Sequence, residues 1–155
     1  LMTQVEYVRD KENGEVIDLE GIWGIVIEGT PYIQIPEIEK PLPVFAGFRV
    51  WGNICYFAYE EDVMIKVPIK AYNPNTGRPF RSGFVKREET VLRERILRFE
   101  TGEMADFNYD TMLEWVENDK TLWRALDSFS PEEAEERLFR TLLIYDERNA
   151  VYILK

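Results

Sequence analysis

The 155-residue chain has no histidine and one cysteine, Cys55. Without an imidazole to take a nucleophile's proton near neutral pH, the Ser-His-Asp and Cys-His devices are excluded. Zinc sites draw on His and Cys, and the commonest haem ligand is an axial His, so neither zinc nor haem is expected. No GxxxxGK[ST] occurs and no GxGxxG follows a predicted strand, so no nucleotide cofactor is expected. A lone cysteine forms no intrachain disulfide, which suits a reducing interior, and its context, NICYFAY, reads as a buried strand position. Gln is scarce as well: two, against 21 Glu, 8 Asp and 13 Ile. That balance leans towards proteins of hot environments, where charged residues rise and thermolabile amides fall. No apolar run approaches the ~20 residues that span a bilayer, and LMTQVEYVRD lacks a basic segment followed by an apolar one. A cytoplasmic protein without a membrane partner is the expectation.

What is present is enough for one core. Hydrophobic residues make up 45% of the chain, aromatics 14% and charged residues 31%. A chain of this length buries roughly 68–70% of the surface its unfolded form exposes, so residues 1–155 are read as a single domain.

EYVRDKENGEVIDLEG predicts a hairpin around Asn13-Gly14, a pair that adopts positive φ at little cost. GIWGIVIEG and PYIQI are rich in β-branched and aromatic residues and predict strands. Pro31, Pro36, Pro41 and Pro43 punctuate TPYIQIPEIEKPLPVF and each removes a backbone donor, so this stretch reads as an edge strand or an extended connection rather than a helix or a central strand. FAGFRVW, NICYFAY and VMIKVPIKAY predict further strands, the last two divided by an acidic turn at Glu60-Glu61-Asp62.

In REETVLRERILRFETG, Leu92, Ile96 and Phe99 recur at helical spacing, with Glu88 and Glu89 placed for a first turn, which predicts a helix. The competing reading is a long strand, because Leu97 and Phe99 also alternate with charges. From Asn108 onward Met112, Trp115, Val116, Leu122, Trp123 and Leu126 form one apolar stripe broken at Asn118-Asp119, hence one bent helix or two short ones. Ser130-Pro131-Glu132-Glu133 carries a helix start in full: a capping serine, a proline suited to the first position and a glutamate that reaches back. AVYILK reads as a short closing strand. The fold class is therefore α+β, a mostly antiparallel sheet of about six strands from the N-terminal two-thirds, packed by C-terminal helices.

The formal charge is -10, yet it is segregated. Residues 63–98 hold nine basic and three acidic side chains, while residues 1–62 hold four against twelve and residues 99–155 six against fourteen. If NPNTGRP joins two strands, Lys70, Arg78, Arg81 and Arg87 beside Tyr72 and Phe80 supply phosphate contacts with stacking rings, and the function predicted is a grip on the backbone of DNA or RNA. The competing reading is a solvated loop whose cations lie against the acidic remainder.

Lys86, Glu88 and Glu89 extend the first reading to catalysis. Either glutamate could hold Mg²⁺ or Mn²⁺ while Lys86 steadies a scissile phosphate, which would make the protein a metal-dependent nuclease. The simpler account of the two acids is that they complement a helix macrodipole. A different class remains open: an acidic interaction or inhibitor module that covers a basic protein partner and has no catalytic activity.

Overall fold

The computed structural model describes residues 2–151, and the Phe80 side chain lies outside the described residues. The chain forms two compact units, one from Leu1–Tyr59 with Glu94–Lys155 and the other from Glu60–Arg93. The fold is α+β, with strands first and helices last.

The strands begin with β1 (Met2–Gln4), β2 (Val8–Arg9) and β3 (Val16–Ile17). The hairpin read around Asn13-Gly14 is β2 against β3, with Val8 opposite Ile17 and Arg9 opposite Val16. Next come β4 (Gly24–Ile27), β5 (Thr30–Gln34), β6 (Val44–Val50), β7 (Ile54–Tyr72), β8 (Pro79–Arg98) and β9 (Met104–Asp106), paired in the order β4-β5-β6-β7-β8-β9. The proline-rich residues 36–43 are a connection between β5 and β6. Along one edge β6 has β5, and along the other it has β1 opposite Val44–Ala46 and β7 opposite Phe48 and Val50, with a register shift between the last two. One strand thereby serves three neighbours.

The first part of β7, ICYFAY, is buried throughout, because alternate side chains enter two different cores. Ile54, Tyr56 and Ala58 pack with Ile96 and with the helical residues Met112, Trp115, Val116, Leu126, Leu138 and Leu142. Cys55, Phe57 and Tyr59 pack with Ile33, Ile35, Ala46 and Leu97 on the opposite face. Burial pushes the Cys55 thiol up to about 11, which makes it an inert packing group.

Three sequence expectations are corrected. Residues 30–34, with Pro31, form β5 between β4 and β6, a central strand rather than an edge; Pro31 lies opposite Val26 of β4, and the pairing with β6 begins only at Tyr32, where a donor is present. The stretch 88–98 is strand β8 rather than helix: it pairs with β7 on one side and with β9 on the other, where Ile96 faces Ala105. Successive residues Ile96 and Leu97 are both buried, one in each core, while Leu92, the first member of the supposed helical stripe, is exposed. Nor do Glu60-Glu61-Asp62 form a turn. They lie inside β7, where Glu61 receives Arg93 Nε at 2.6 Å and Asp62 accepts from Thr90 Oγ1 at 2.8 Å, so cross-strand partners neutralise what an isolated acidic run would leave solvated.

The C-terminal helices are α1 (Tyr109–Trp115), α2 (Lys120–Asp127) and α3 (Pro131–Arg148). The break at Asn118-Asp119 makes two short helices, capped by Asn108 and Asp119, whose side chains accept from Thr111 N and Leu122 N at 3.0 Å. Ser130 and Glu133 complete the capping box of α3 with Pro131 in its first turn. From α3, Asp146 Oδ1 accepts the Ile54 N–H at 2.8 Å, and a Cβ on Gly52 would stand 2.3 Å from Asp146 Oδ2, so a larger residue there has to displace this carboxylate. The closing strand read in AVYILK falls on residues 152–155, outside the described residues. No helix among the described residues is long and apolar enough to cross a membrane.

Candidate nucleic-acid interface

The unit Glu60–Arg93 is a two-stranded ribbon made from the second part of β7 and the first part of β8. Thirteen residues of strand from Glu60 to Tyr72 extend about 40 Å at the usual rise. NPNTGRP closes the ribbon: Asn73 N–H donates to Arg78 O at 2.9 Å, and Gly77 N–H donates to Asn73 O at 2.8 Å. Gly77 has φ of 63°, a backbone state in which a Cβ would crowd the following carbonyl.

None of the described side chains of this ribbon is buried in either core. In β7, Val63, Ile65 and Val67 are half-buried while Asp62, Met64, Lys66 and Pro68 are exposed, the alternation of a pleated strand. Pro68 cannot donate to the ladder, and its exposed position in a two-stranded unit suits that restriction. Tyr72 is 55% exposed and Phe84 72% exposed.

Charge along the ribbon is uneven. Residues 63–87 carry Lys66, Lys70, Arg78, Arg81, Lys86 and Arg87 and no acid, whereas Glu60, Glu61, Asp62, Glu88 and Glu89 all lie outside that stretch. The ion pairs follow the same division. Arg93 is held by Glu61, Arg95 Nε lies 3.2 Å from Asp106, and Arg98 Nε lies 3.6 Å from Glu103 with its guanidinium over the Trp115 ring. These three cations of the predicted basic region 63–98 are structural. Arg87 pairs with Glu89 at 3.1 Å, both well exposed. Lys66, Lys70, Arg78, Arg81 and Lys86 have no carboxylate within ion-pair distance among the described residues.

Two of the sequence-predicted residues are brought together. Lys70, near the end of β7, and Arg81, near the start of β8, line one open recess of about 300 Å³ with Pro79 and Ser82. Tyr72 ends its strand nearby in sequence, and Arg78 belongs to the turn, its N–H donating to Thr76 Oγ1 at 3.4 Å. Sequence reasoning did not single out Lys66 or Ser82. The signal for Ser82 was the hairpin itself: closing the chain at Asn73 and Arg78 carries the residues after the turn back beside Lys70.

Glu88 and Glu89 are consecutive on β8, so their side chains leave opposite faces of the ribbon, and Glu89 is engaged by Arg87. Lys86 and Glu88 share a face, being two residues apart. Among the described residues no group of three or more Asp, Glu, Cys or His side chains is arranged to hold a metal ion. Comparison with protein-family models, with curated proteins and with solved structures finds no match, so the reading of this ribbon rests on its own geometry.

Proposed function

We propose that the Glu60–Arg93 ribbon grips the sugar–phosphate backbone of DNA or RNA. The observation that carries this reading is the set of five cations, Lys66, Lys70, Arg78, Arg81 and Lys86, that find no acid among the described residues although the chain has 29 acidic side chains to offer. Unpaired cations on a narrow support release counterions when they meet phosphates. A two-stranded ribbon is also of a width that the major groove of a duplex, about 12 Å across, admits. Exposed Tyr72 and Phe84 add rings on which unpaired bases stack. Lys70 and Arg81 around one recess supply two charges for a single phosphate.

Fluorescence anisotropy across a salt series tests the reading. If the five cations each meet a phosphate, log K falls against log salt with a slope of about -4.5 on a duplex. Reversing Lys70 and Arg81 to Glu is expected to lower affinity at least tenfold and to flatten that slope by about 2. Absence of binding by the parent at low salt would leave the acidic interaction module as the better account, and unchanged binding by the doubly reversed variant would place the phosphate contacts away from Lys70 and Arg81. Adding Mg²⁺ or Mn²⁺ to linear DNA and RNA in the same series tests cleavage. On this proposal Glu88 would hold a divalent cation that activates water for attack on the phosphorus, with Lys86 on the same face steadying the phosphate as the ester oxygen leaves protonated, and Glu88→Ala abolishes the cut while leaving binding within about threefold.

A further inference from the structure

A second recess, open to solvent and of about 510 Å³, lies wholly within the unit formed by Leu1–Tyr59 and Glu94–Lys155. Its walls include Arg49 of β6, Tyr56 of β7, Glu94 of β8, Phe107 just after β9, and Glu135 and Phe139 one turn apart on α3. The volume is that of a small-molecule site. One side is aromatic. The Tyr56 ring meets Phe107 edge-on at 5.0 Å between centroids and Phe139 at 5.3 Å, and the Phe107 N–H donates to Glu94 O at 2.9 Å, which ties this wall to β8.

The other side is charged in both signs. Tyr56 OH donates to Glu94 Oε1. Burial first, and then that carboxylate, push the phenol up to about 12, so it remains a donor at neutral pH. The second oxygen of Glu94 has no hydrogen-bond or ion-pair partner among the described residues. Arg49 and Glu135 have no ion-pair partner among the described residues, and in particular neither Glu94 nor Glu135 closes on Arg49. A guanidinium and two carboxylates, all three solvent-exposed, share this recess without closing on one another and so offer both signs of charge to a ligand set between them.

We infer that this cavity binds an amphoteric small molecule of the α-amino-acid class with an apolar side chain. Its carboxylate meets the Arg49 guanidinium, its ammonium lies towards Glu135 and the free oxygen of Glu94, and its side chain rests on the rings of Phe107 and Phe139. A molecule bearing only one of the two charges leaves the opposite wall without a partner, and that omission sets the selectivity.

Calorimetric titration of the full chain with leucine, methionine, phenylalanine and tryptophan, and with phenethylamine and 3-phenylpropionate as single-charge analogues of phenylalanine, tests the inference. At least one of the amino acids is expected to saturate below about 10 mM, and phenylalanine to bind at least tenfold tighter than either analogue. Arg49→Met removes the advantage of phenylalanine over phenethylamine, and Glu135→Gln removes its advantage over 3-phenylpropionate. Both side chains are exposed, so unchanged melting temperatures accompany the losses. Equal affinity for phenylalanine and its two analogues, absence of saturation by all four amino acids, or variants that bind as the parent does would each overturn it.

Discussion

Two aspartates respond to acid with opposite signs, and the difference lies in what surrounds each carboxylate. Asp119 caps α2, accepting from Leu122 N at 3.0 Å, and receives Arg148 Nη1 at 2.9 Å; these partners, the backbone bond first, hold its carboxyl below the usual range. Its contribution is therefore fully present above the unfolded value of about 3.9 and is lost as pH falls through the lower folded value. Asp146 lies half-buried beneath the Gly52 turn, with Oδ2 unpartnered among the described residues, and burial outweighs its backbone bonds to raise its pKa. A raised acid favours the folded state below the unfolded value and loses that advantage as pH rises through the folded one. In urea titrations Asp119→Ala is expected to cost about 1–2 kcal/mol at pH 7, and less when the pH is brought below the folded value. Asp146→Asn keeps an oxygen for the Ile54 N–H and removes the titration. Its cost relative to the parent is expected to be greatest in acid and to shrink towards neutrality. Parallel pH profiles for the two variants would contradict the assignment.

At the scale of elements, local signals were legible and distant ones were not. Ser130-Pro131-Glu132-Glu133 encodes the start of α3 within four residues, and Asp119 marks a helix boundary by its own side chain, so both could be read directly. Strand β8 could not, because helical spacing of Leu92, Ile96 and Phe99 is matched by an alternation that only partners on β7 and β9 decide. The ion pair that places Arg93 spans 32 positions to Glu61. For the same reason the clustering of cations was visible in the sequence, while the division between bound Arg93, Arg95 and Arg98 and unpaired Lys70 and Arg81 was not. The ribbon turn is the element on which the candidate site depends, since it returns Arg81 to Lys70. Gly77→Val forces a branched side chain into φ of 63°, at a cost of about 1–2 kcal/mol. Because the ribbon contributes no buried core residue, that strain is expected to appear as faster hydrogen exchange at Asn73 and Gly77 and as weaker nucleic-acid binding, with the main melting transition unmoved. A lowered main transition would show that the ribbon and the helical unit unfold together.

Over the whole molecule, stability and the proposed binding draw on different residues. Every buried residue of the two cores lies outside residues 60–93. Five of the six cations of residues 63–87 carry the proposed interaction, while the sequence outside 63–87 holds 13 basic and 29 acidic side chains, a net of -16 that repels phosphate. Shortening the chain by replacing residues 63–87 with an Asn-Gly turn is therefore expected to leave both cores intact and to abolish nucleic-acid binding at every salt concentration. For a domain of this size about 1 kcal/mol corresponds to a few degrees, so a melting temperature within about 4 °C of the parent is the expected outcome. Retained binding by the shortened chain would place the interaction on the acidic unit and reverse the charge argument, because an acidic surface that still holds a polyanion needs a bridging cation. Collapse of the main transition would show instead that residues 63–87 contribute to the fold through the register they impose on β7 and β8. Amino-acid titration of the same shortened chain separates the two proposed sites, since Arg49, Glu94 and Glu135 all lie outside the replaced segment and are expected to bind as before.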